Sequence, residues 1–289
     1  MKLSYRIILG IAFACIGIGI VVGMLGFAIH RGNYRSSGKN HSTFSNTVTG
    51  VESIDLDVQY SKVEFVHGNE FSIEANNIPE NGFKSFVKDG VWYLEDHYEE
   101  DQIVTIFGFD IPIYQGFFNW DISGDDTPSV IVTIPKDFIA KKVTIEIDAG
   151  QLDMDELEAV TCDIKVGAGS MTVRQLKILE EASLEVGAGD IEVSNLETQD
   201  ADLNCGLGRI DIAGEIYGDL NADCGMGEIL LDLAGDEEDY NYYISVGLGD
   251  ISLNDKQYNF NVDKTIKHDN TIGTFDLNCG LGSLSIDIR

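Results

Sequence analysis

A chain of 289 residues with 44% apolar side chains has enough material for a real core, which argues against bulk disorder. Its formal charge of −30 is unevenly placed: residues 1–40 hold five basic side chains and no acid, leaving a net of −35 on the rest. A surface that acidic repels nucleic acid and anionic lipid, so a nucleic-acid partner is excluded, and solubility or cationic partners are favoured.

The chain opens with an apolar run, Ile7 to Ile29, of 23 residues without a charge. As a helix it would be about 34 Å long, enough for a bilayer core. Lys2 and Arg6 precede it, and Arg31 and Arg35 come after it. The run is longer than a signal-peptide core, and Gly26-Phe27-Ala28 is a poor exit site. Apolar sequence continues past Cys15, which speaks against a lipoprotein anchor. The expectation is an uncleaved transmembrane signal anchor over residues 1–31. Basic residues flank both ends, so charge alone does not orient it. Short N-terminal tails normally stay inside, so the chain is expected in the cell membrane, single-pass, with its bulk extracytoplasmic.

Residues 32–47, rich in Gly, Asn, Ser, Lys and Thr, read as a flexible stalk. An irregular β section is expected over 48–142. Its strand patterns are Ser53–Val58, Lys62–Val66, Phe71–Ala75, Val91–Leu94 and Val130–Ile134, with turn signals such as Lys88-Asp89-Gly90. They share the rhythm of the repeats over 143–289 and are expected to cap the first edge of that repeat region. Within this section the insert 103–120 gathers Phe107, Phe109, Tyr114, Phe117, Phe118 and Trp120. Such a segment either folds over the end with its rings buried or offers an aromatic patch to a partner, a glycan or the membrane interface. Those six residues are the candidate partner-binding set.

From 143 to 289 one phrase returns seven times: an alternating strand, a Gly-x-Gly corner, a second alternating strand. The clearest copies are Cys162–Val173, Ala182–Val193 and Ala201–Ile212. The corner residues are Ala149 (without the leading glycine), Ala168, Ala188, Leu207, Met226, Leu248 and Leu281, at spacings of 19, 20, 19, 19, 22 and 33. A fixed period of this size marks a repeat architecture. Two residues before the corner stand Ile147, Val166, Val186, Cys205, Cys224, Val246 and Cys279, and equally apolar columns stand four before, three after and five after. Polar residues lie between them, so both strands are apolar inside and polar outside.

The fold class is therefore all-β: a β-solenoid or flattened parallel β-helix with about seven regular rungs, two strands each, roughly 34 Å of stack at the sheet spacing. The corner glycines Gly167, Gly169, Gly187, Gly189, Gly206, Gly208, Gly225, Gly227, Gly247, Gly249, Gly280 and Gly282 are expected to permit special dihedrals and to let rungs pass closely. The stretch 254–274 reads as a loop or cap excursion. The last strand ends at the C-terminus, so that excursion or another copy must cover it, which leaves end-to-end self-association open.

Chemistry is sparse. Cys162, Cys205, Cys224 and Cys279 fall on inward positions, as small buried hydrophobes, with Cys205 and Cys224 close enough in the pattern for a disulfide. No CxxC and no Cys/His cluster points to zinc. Asp190 and Asp250 beside Gly-x-Gly resemble calcium β-roll repeats, but Arg209 interrupts that column. The five histidines are scattered, and there is no HExxH, nucleophile elbow or phosphate loop. No cofactor, metal or catalytic residue is expected.

The strand-rich opening, the segment VTIPKDF (132–138) and rungs such as VGAGDIEV (186–193), behind an apolar N-terminal run, together resemble the membrane-anchored putative adhesin β-strand-repeat family of Gram-positive bacteria, a domain of unknown function that includes LiaG-like proteins. The likeness spans roughly 48–289. It implies an extracytoplasmic β-solenoid, sometimes encoded with cell-envelope stress systems, without an established catalytic residue. The combined expectation is a non-catalytic binding or scaffold protein of the cell envelope, its partner an envelope protein or glycan and its membrane contact residues 7–29. Two alternatives stay open: a carbohydrate-active β-helix enzyme, which a groove with carboxylates and an arginine would favour, and a self-assembling scaffold resembling bactofilins.

Overall fold

Alternation predicts that like residues stack, and they do: Val166 lies opposite Val186 on the neighbouring strand, and Val186 opposite Cys205. The computed structural model describes residues 41–59, 61–79, 82–96, 103–106, 109–112 and 128–289, all within one unit, Asn40–Arg289. Among these residues there is no α-helix, and no helix long and apolar enough to cross a membrane; the run 7–29 and residues 32–40 of the stalk lie outside them. Residues 41–47, assigned to the stalk, are strand instead, because they pair with a partner further along the chain.

The first strands are β1 (His41–Val48), β2 (Ser53–Val58), β3 (Lys62–Gly68), β4 (Phe71–Pro79), β5 (Phe83–Lys88) and β6 (Val91–Asp96). A two-stranded hairpin comes next, β7 (Ile103–Ile106) and β8 (Phe109–Pro112), then β9 (Ser129–Pro135) and β10 (Ile139–Ile147). Three long strands succeed these: β11 (Gln151–Val166), β12 (Ser170–Val186) and β13 (Asp190–Cys205). The chain continues through β14 (Arg209–Ile216), β15 (Leu220–Cys224), β16 (Glu228–Leu233), β17 (Tyr240–Val246), β18 (Asp250–Leu253), β19 (Lys256–Asn259), β20 (Val262–Ile266), β21 (Gly273–Cys279) and β22 (Ser283–Ile288).

Each coil pairs in parallel with the next on both sides of its corner. In β11 the inward residues are Leu152 and Met154, then Leu157 and Ala159, then Cys162, Ile164 and Val166. Two successive outward positions, at Asp155-Glu156 and again at Val160-Thr161, break the phase of the alternation. Each break is a bend, so β11, β12 and β13 run along two sides of a coil and into the next. These coils are therefore three-sided, where the sequence pattern predicts two strands per rung. The third side carries its own columns, Leu157–Leu176–Leu196 and Ala159–Ile178–Thr198–Ile216. Buried Thr198 keeps its place there by donating its hydroxyl to the Asp200 carbonyl at 2.9 Å. Each inward aliphatic contributes roughly 1.5–3 kcal/mol by leaving water.

Order in space departs from order along the chain at both ends. The last strands, β21 and β22, slot between β15/β16 and β17/β18. At the other end β2/β3 pair with β10/β11, while β6/β9, later in sequence, lie outside them. The coils thus run β6/β9, β2/β3, four coils from β10 to β14, β15/β16, β21/β22 and β17/β18. There are nine, because the irregular opening contributes two. Antiparallel strands then close both ends: β5 and β4 on β6 and β9, with β1 beyond β4, and β20 and β19 on β17 and β18. The excursion 254–274 is this second closure. It covers β17/β18, and the C-terminal strand, expected at an exposed edge, is interior.

Close approach, and not dihedral freedom, explains the corner glycines. None of the twelve adopts a positive φ. A Cβ on Gly208, however, would lie 2.0 Å from the Gly189 carbonyl oxygen, and one on Gly169 2.3 Å from that of Gly150. Left-handed φ is needed instead at Gly214 (φ 153), where the coil turns against the Leu196 backbone.

Candidate interaction surface

The corners build a backbone ladder with one direction. In every regular coil their N–H groups donate to carbonyls of the preceding coil, for example Ala168 to Asp148 (2.6 Å), Leu207 to Gly187 (2.7 Å), Met226 to Gly206 (2.8 Å) and Leu281 to Gly225 (2.7 Å). At the first coil that lacks a regular neighbour, the Asp96 carboxylate takes over as acceptor. Its two oxygens receive Gln59 N–H at 2.5 Å and Ser61 N–H at 3.1 Å. Successive amides converging on one anion are a recurrent backbone device. At the far end, Asn261 N–H donates to the Gly247 carbonyl at 2.7 Å.

Between its two glycines the corner residue has no neighbouring side chain to cover it. In spatial order the row reads Ala149, Ala168, Ala188, Leu207, Met226, Leu281, Leu248. The last four are 39%, 44%, 55% and 43% exposed. They form a continuous apolar ridge on an acidic protein, and Leu281 joins it only because its coil is slotted between those of Met226 and Leu248. Beside Leu248, Phe260 extends the ridge: it is 70% exposed and holds φ at 58°, a strained conformation for an aromatic residue. In the sequence these corner residues stand out only as spacers between glycines. The signal they carry is the change from Ala to Leu and Met at a position that cannot turn inward.

The same reordering stacks three thiols. Cys205, Cys224 and Cys279 are on successive coils and free, as is Cys162. The Cys205 and Cys224 thiols donate to the Gly208 and Gly227 carbonyls of their own corners at 3.1 and 3.2 Å. Burial pushes Cys162 up to about 12 and Cys279 up to about 11, and a shared hydrogen bond with Cys205, together with burial, raises Cys224. The same shared hydrogen bond lowers Cys205, whereas Cys162, Cys224 and Cys279 are held protonated, poor nucleophiles that serve as packing.

On the opposite face of the first strand pair, Asp57 lies directly between Glu95 and Glu146 on the neighbouring strands. Its carboxyl reaches the surface but is hemmed in. Loss of solvent, then repulsion from Glu146, Asp96, Glu95 and Asp55, push it up to about 6. Elsewhere the outer columns mix signs, with exposed pairs such as Lys62–Asp153 (3.3 Å) and Lys177–Glu158 (2.9 Å) that stabilise little. Arg209, the residue that interrupts the aspartate column, pairs with Asp211 at 2.5 Å and Glu228 at 3.7 Å. Among the described residues no group of three or more His, Cys, Asp or Glu side chains is placed to hold a metal ion.

An open groove of about 290 Å³ lies where the third side meets the β16 end, lined by Asn195, Glu197, Glu215, Asp232 and Arg289 among others. Glu197 and Glu215 are register partners on adjacent strands. Glu215 accepts from the Tyr217 hydroxyl at 3.0 Å, and Asp232 is ion-paired with Arg289. This is the grooved carboxylate-plus-arginine feature that an enzyme would show, although its acids are engaged and open to water.

Of the six candidate aromatics, Phe107, Tyr114, Phe117, Phe118 and Trp120 lie outside the described residues, and of Phe109 only the backbone, in β8, is described. The β7/β8 hairpin lies in the stretch of chain between β6 and β9, the place a corner takes in a regular coil.

Residues 51–270 match the sequence profile of Toastrack DUF4097. The chain belongs to the Toastrack DUF4097 family. Similar solved structures include a putative adhesin from Bacteroides fragilis (15% identity, 86% of this chain and 98% of that one, TM-score 0.45) and a putative adhesin from Parabacteroides merdae (16%, 88% and 98%, 0.43). Another is a putative lipid binding protein from Parabacteroides distasonis (12%, 87% and 98%, 0.46). No curated protein matches. For a Toastrack chain the expected family resemblance therefore holds over most of the repeat region.

Proposed function

We propose that this Toastrack chain is a non-catalytic binding module of the cell envelope, held by residues 7–29 as a single-pass anchor with its acidic stack outside the cytoplasm. The observation that carries the reading is the closed stack: nine in-register coils whose two outermost members are each covered by antiparallel strands. Such a body offers long rows of outward side chains at fixed spacing, suited to engaging an envelope protein or glycan. Of the closing strands, β5, β19 and β20 carry Lys84, Lys88, Lys256 and Lys264, charges that discourage further strand pairing at those edges. Protease treatment of intact cells tests the placement: digestion of the stack supports it, and full protection overturns it.

The groove with Glu197 and Glu215 favours one competing reading, a carbohydrate-active enzyme. Release of reducing ends from a polysaccharide by the wild-type chain, abolished in Glu197→Gln, would establish that reading in place of ours.

A further inference from the structure

We propose that the corner ridge Leu207, Met226, Leu281, Leu248 and Phe260 seats the stack on an uncharged, zwitterionic lipid surface; this rests on the anchored reading above. Three observations select that occupant. First, the ridge is a row of one exposed corner residue per coil, with about 14 Å from Leu207 to Leu248 at the strand spacing. It is no groove for a partner helix, and five side chains fall far short of the roughly 20–30 residues per side of a stable interface between two copies. Second, the backbone beneath it is already satisfied: the N–H groups of Leu207, Met226, Leu281 and Leu248 all donate within the ladder at 2.7–2.8 Å. A partner strand would find no amide to pair with, so contact here is rewarded only by burying apolar side chains. Third, a 23-residue uncharged run precedes the stack at 7–29, and a short stalk behind such an anchor keeps the domain at high local concentration beside one bilayer.

Charge sets the lipid class. The eight residues flanking the four ridge corners, at the nearest outward positions, are Asn204, Asp223, Asn278 and Ser245 on one side and Arg209, Glu228, Ser283 and Asp250 on the other. Three are acids, one of them paired with Arg209, and the chain as a whole carries −30. Neutral headgroups accept such a surface, whereas anionic ones repel it.

The test uses the full chain reconstituted into phosphatidylcholine vesicles containing brominated lipid, with Leu281→Trp or, independently, Met226→Trp as the reporter. Tyr243→Trp, on an exposed sheet face of the last coil, is the control, and the wild-type chain gives the tryptophan background. Circular dichroism confirms that each variant folds. The ridge tryptophans should lose about half of their emission, as for side chains seated roughly 5–10 Å into the headgroup boundary, while the control keeps its own. Replacing about a third of the lipid by phosphatidylglycerol should weaken the quenching, and added salt should restore it. A chain that floats with the vesicles but whose ridge reporters are quenched no more than the control overturns the ridge proposal alone. A chain that does not float overturns the anchored reading and this proposal with it.

Discussion

The two ends of the stack solve one problem with opposite chemistry. Corner peptides all point the same way, N–H toward the β6/β9 end and C=O toward the β17/β18 end. Like a helix, such an array leaves donors without partners at one terminus and acceptors at the other. At the donor end a buried carboxylate, Asp96, 1% exposed, receives two amides. At the acceptor end a backbone N–H, that of Asn261, meets the Gly247 carbonyl. Both ends also plug the core with rings where no further coil can fill it: Phe71 against Trp92 and Phe138 at one, Tyr240 and Tyr242 against Phe275 at the other. Aromatics cover more area per residue than the aliphatics of the middle. The directional ladder, more than the sheet, dictates what each end must carry.

The sharpest way to break this comparison is to remove strands. Truncation after Ile272 deletes β21 and β22, with buried Phe275, Leu277, Cys279, Leu284, Ile286 and Ile288. At roughly 1.5–3 kcal/mol each this rivals the whole stability of a domain, so the final coils should unfold and become protease-sensitive. Deleting residues 41–48, an edge strand, should instead leave a cooperative unfolding transition. Next in size is the corner itself. Gly208→Ala places a Cβ 2.0 Å from a carbonyl oxygen and should cost about 3 kcal/mol in denaturant unfolding. Gly50→Ala has open space and only a positive φ to bear, so about 1 kcal/mol is expected.

Asp96→Asn probes the donor end directly: it removes charge from a buried acceptor of two amides and should cost about 2 kcal/mol. Asn261→Ala should cost about 1 kcal/mol or less, because the capping group there is main chain and only its left-handed preference (φ 56) changes. Equal losses at the two positions would refute the asymmetry.

The smallest effect is pH-dependent. Asp57 is raised in the folded protein to about 6, so folding favours its protonated form. Its contribution is favourable below about pH 4, its unfolded value, and disappears as pH rises through about 6. Asp57→Asn should therefore stabilise the protein at pH 8 by about 1 kcal/mol after solvent screening, with the gain vanishing below pH 4. Thermal melts at the two pH values decide it.

Much of this architecture was legible because its rule is local. Val166, Val186 and Cys205 alternate with polar neighbours inside single strands, and equal spacing in sequence becomes equal height in the stack. The third side was less legible. Leu157, Leu176 and Leu196 belong to a phase shifted by one residue, and a pattern read at strict period two passes over the bend that shifts it. The ridge was half legible: its residue types stand in the sequence, but the place of Leu281 between Met226 and Leu248 depends on a coil inserted out of chain order.

By itself the sequence determined the repeat, its inward columns and the glycines, since period-two burial and close corner packing act between residues a few positions apart. Only the tertiary structure decided which coil lies beside which at the ends, and with that the thiol column, the ridge and the role of Asp96. Parallel coils of like register are nearly interchangeable partners along the chain. The choice among them is made by where the connecting segments reach and which exposed edge they must cover, and both are properties of the assembled stack.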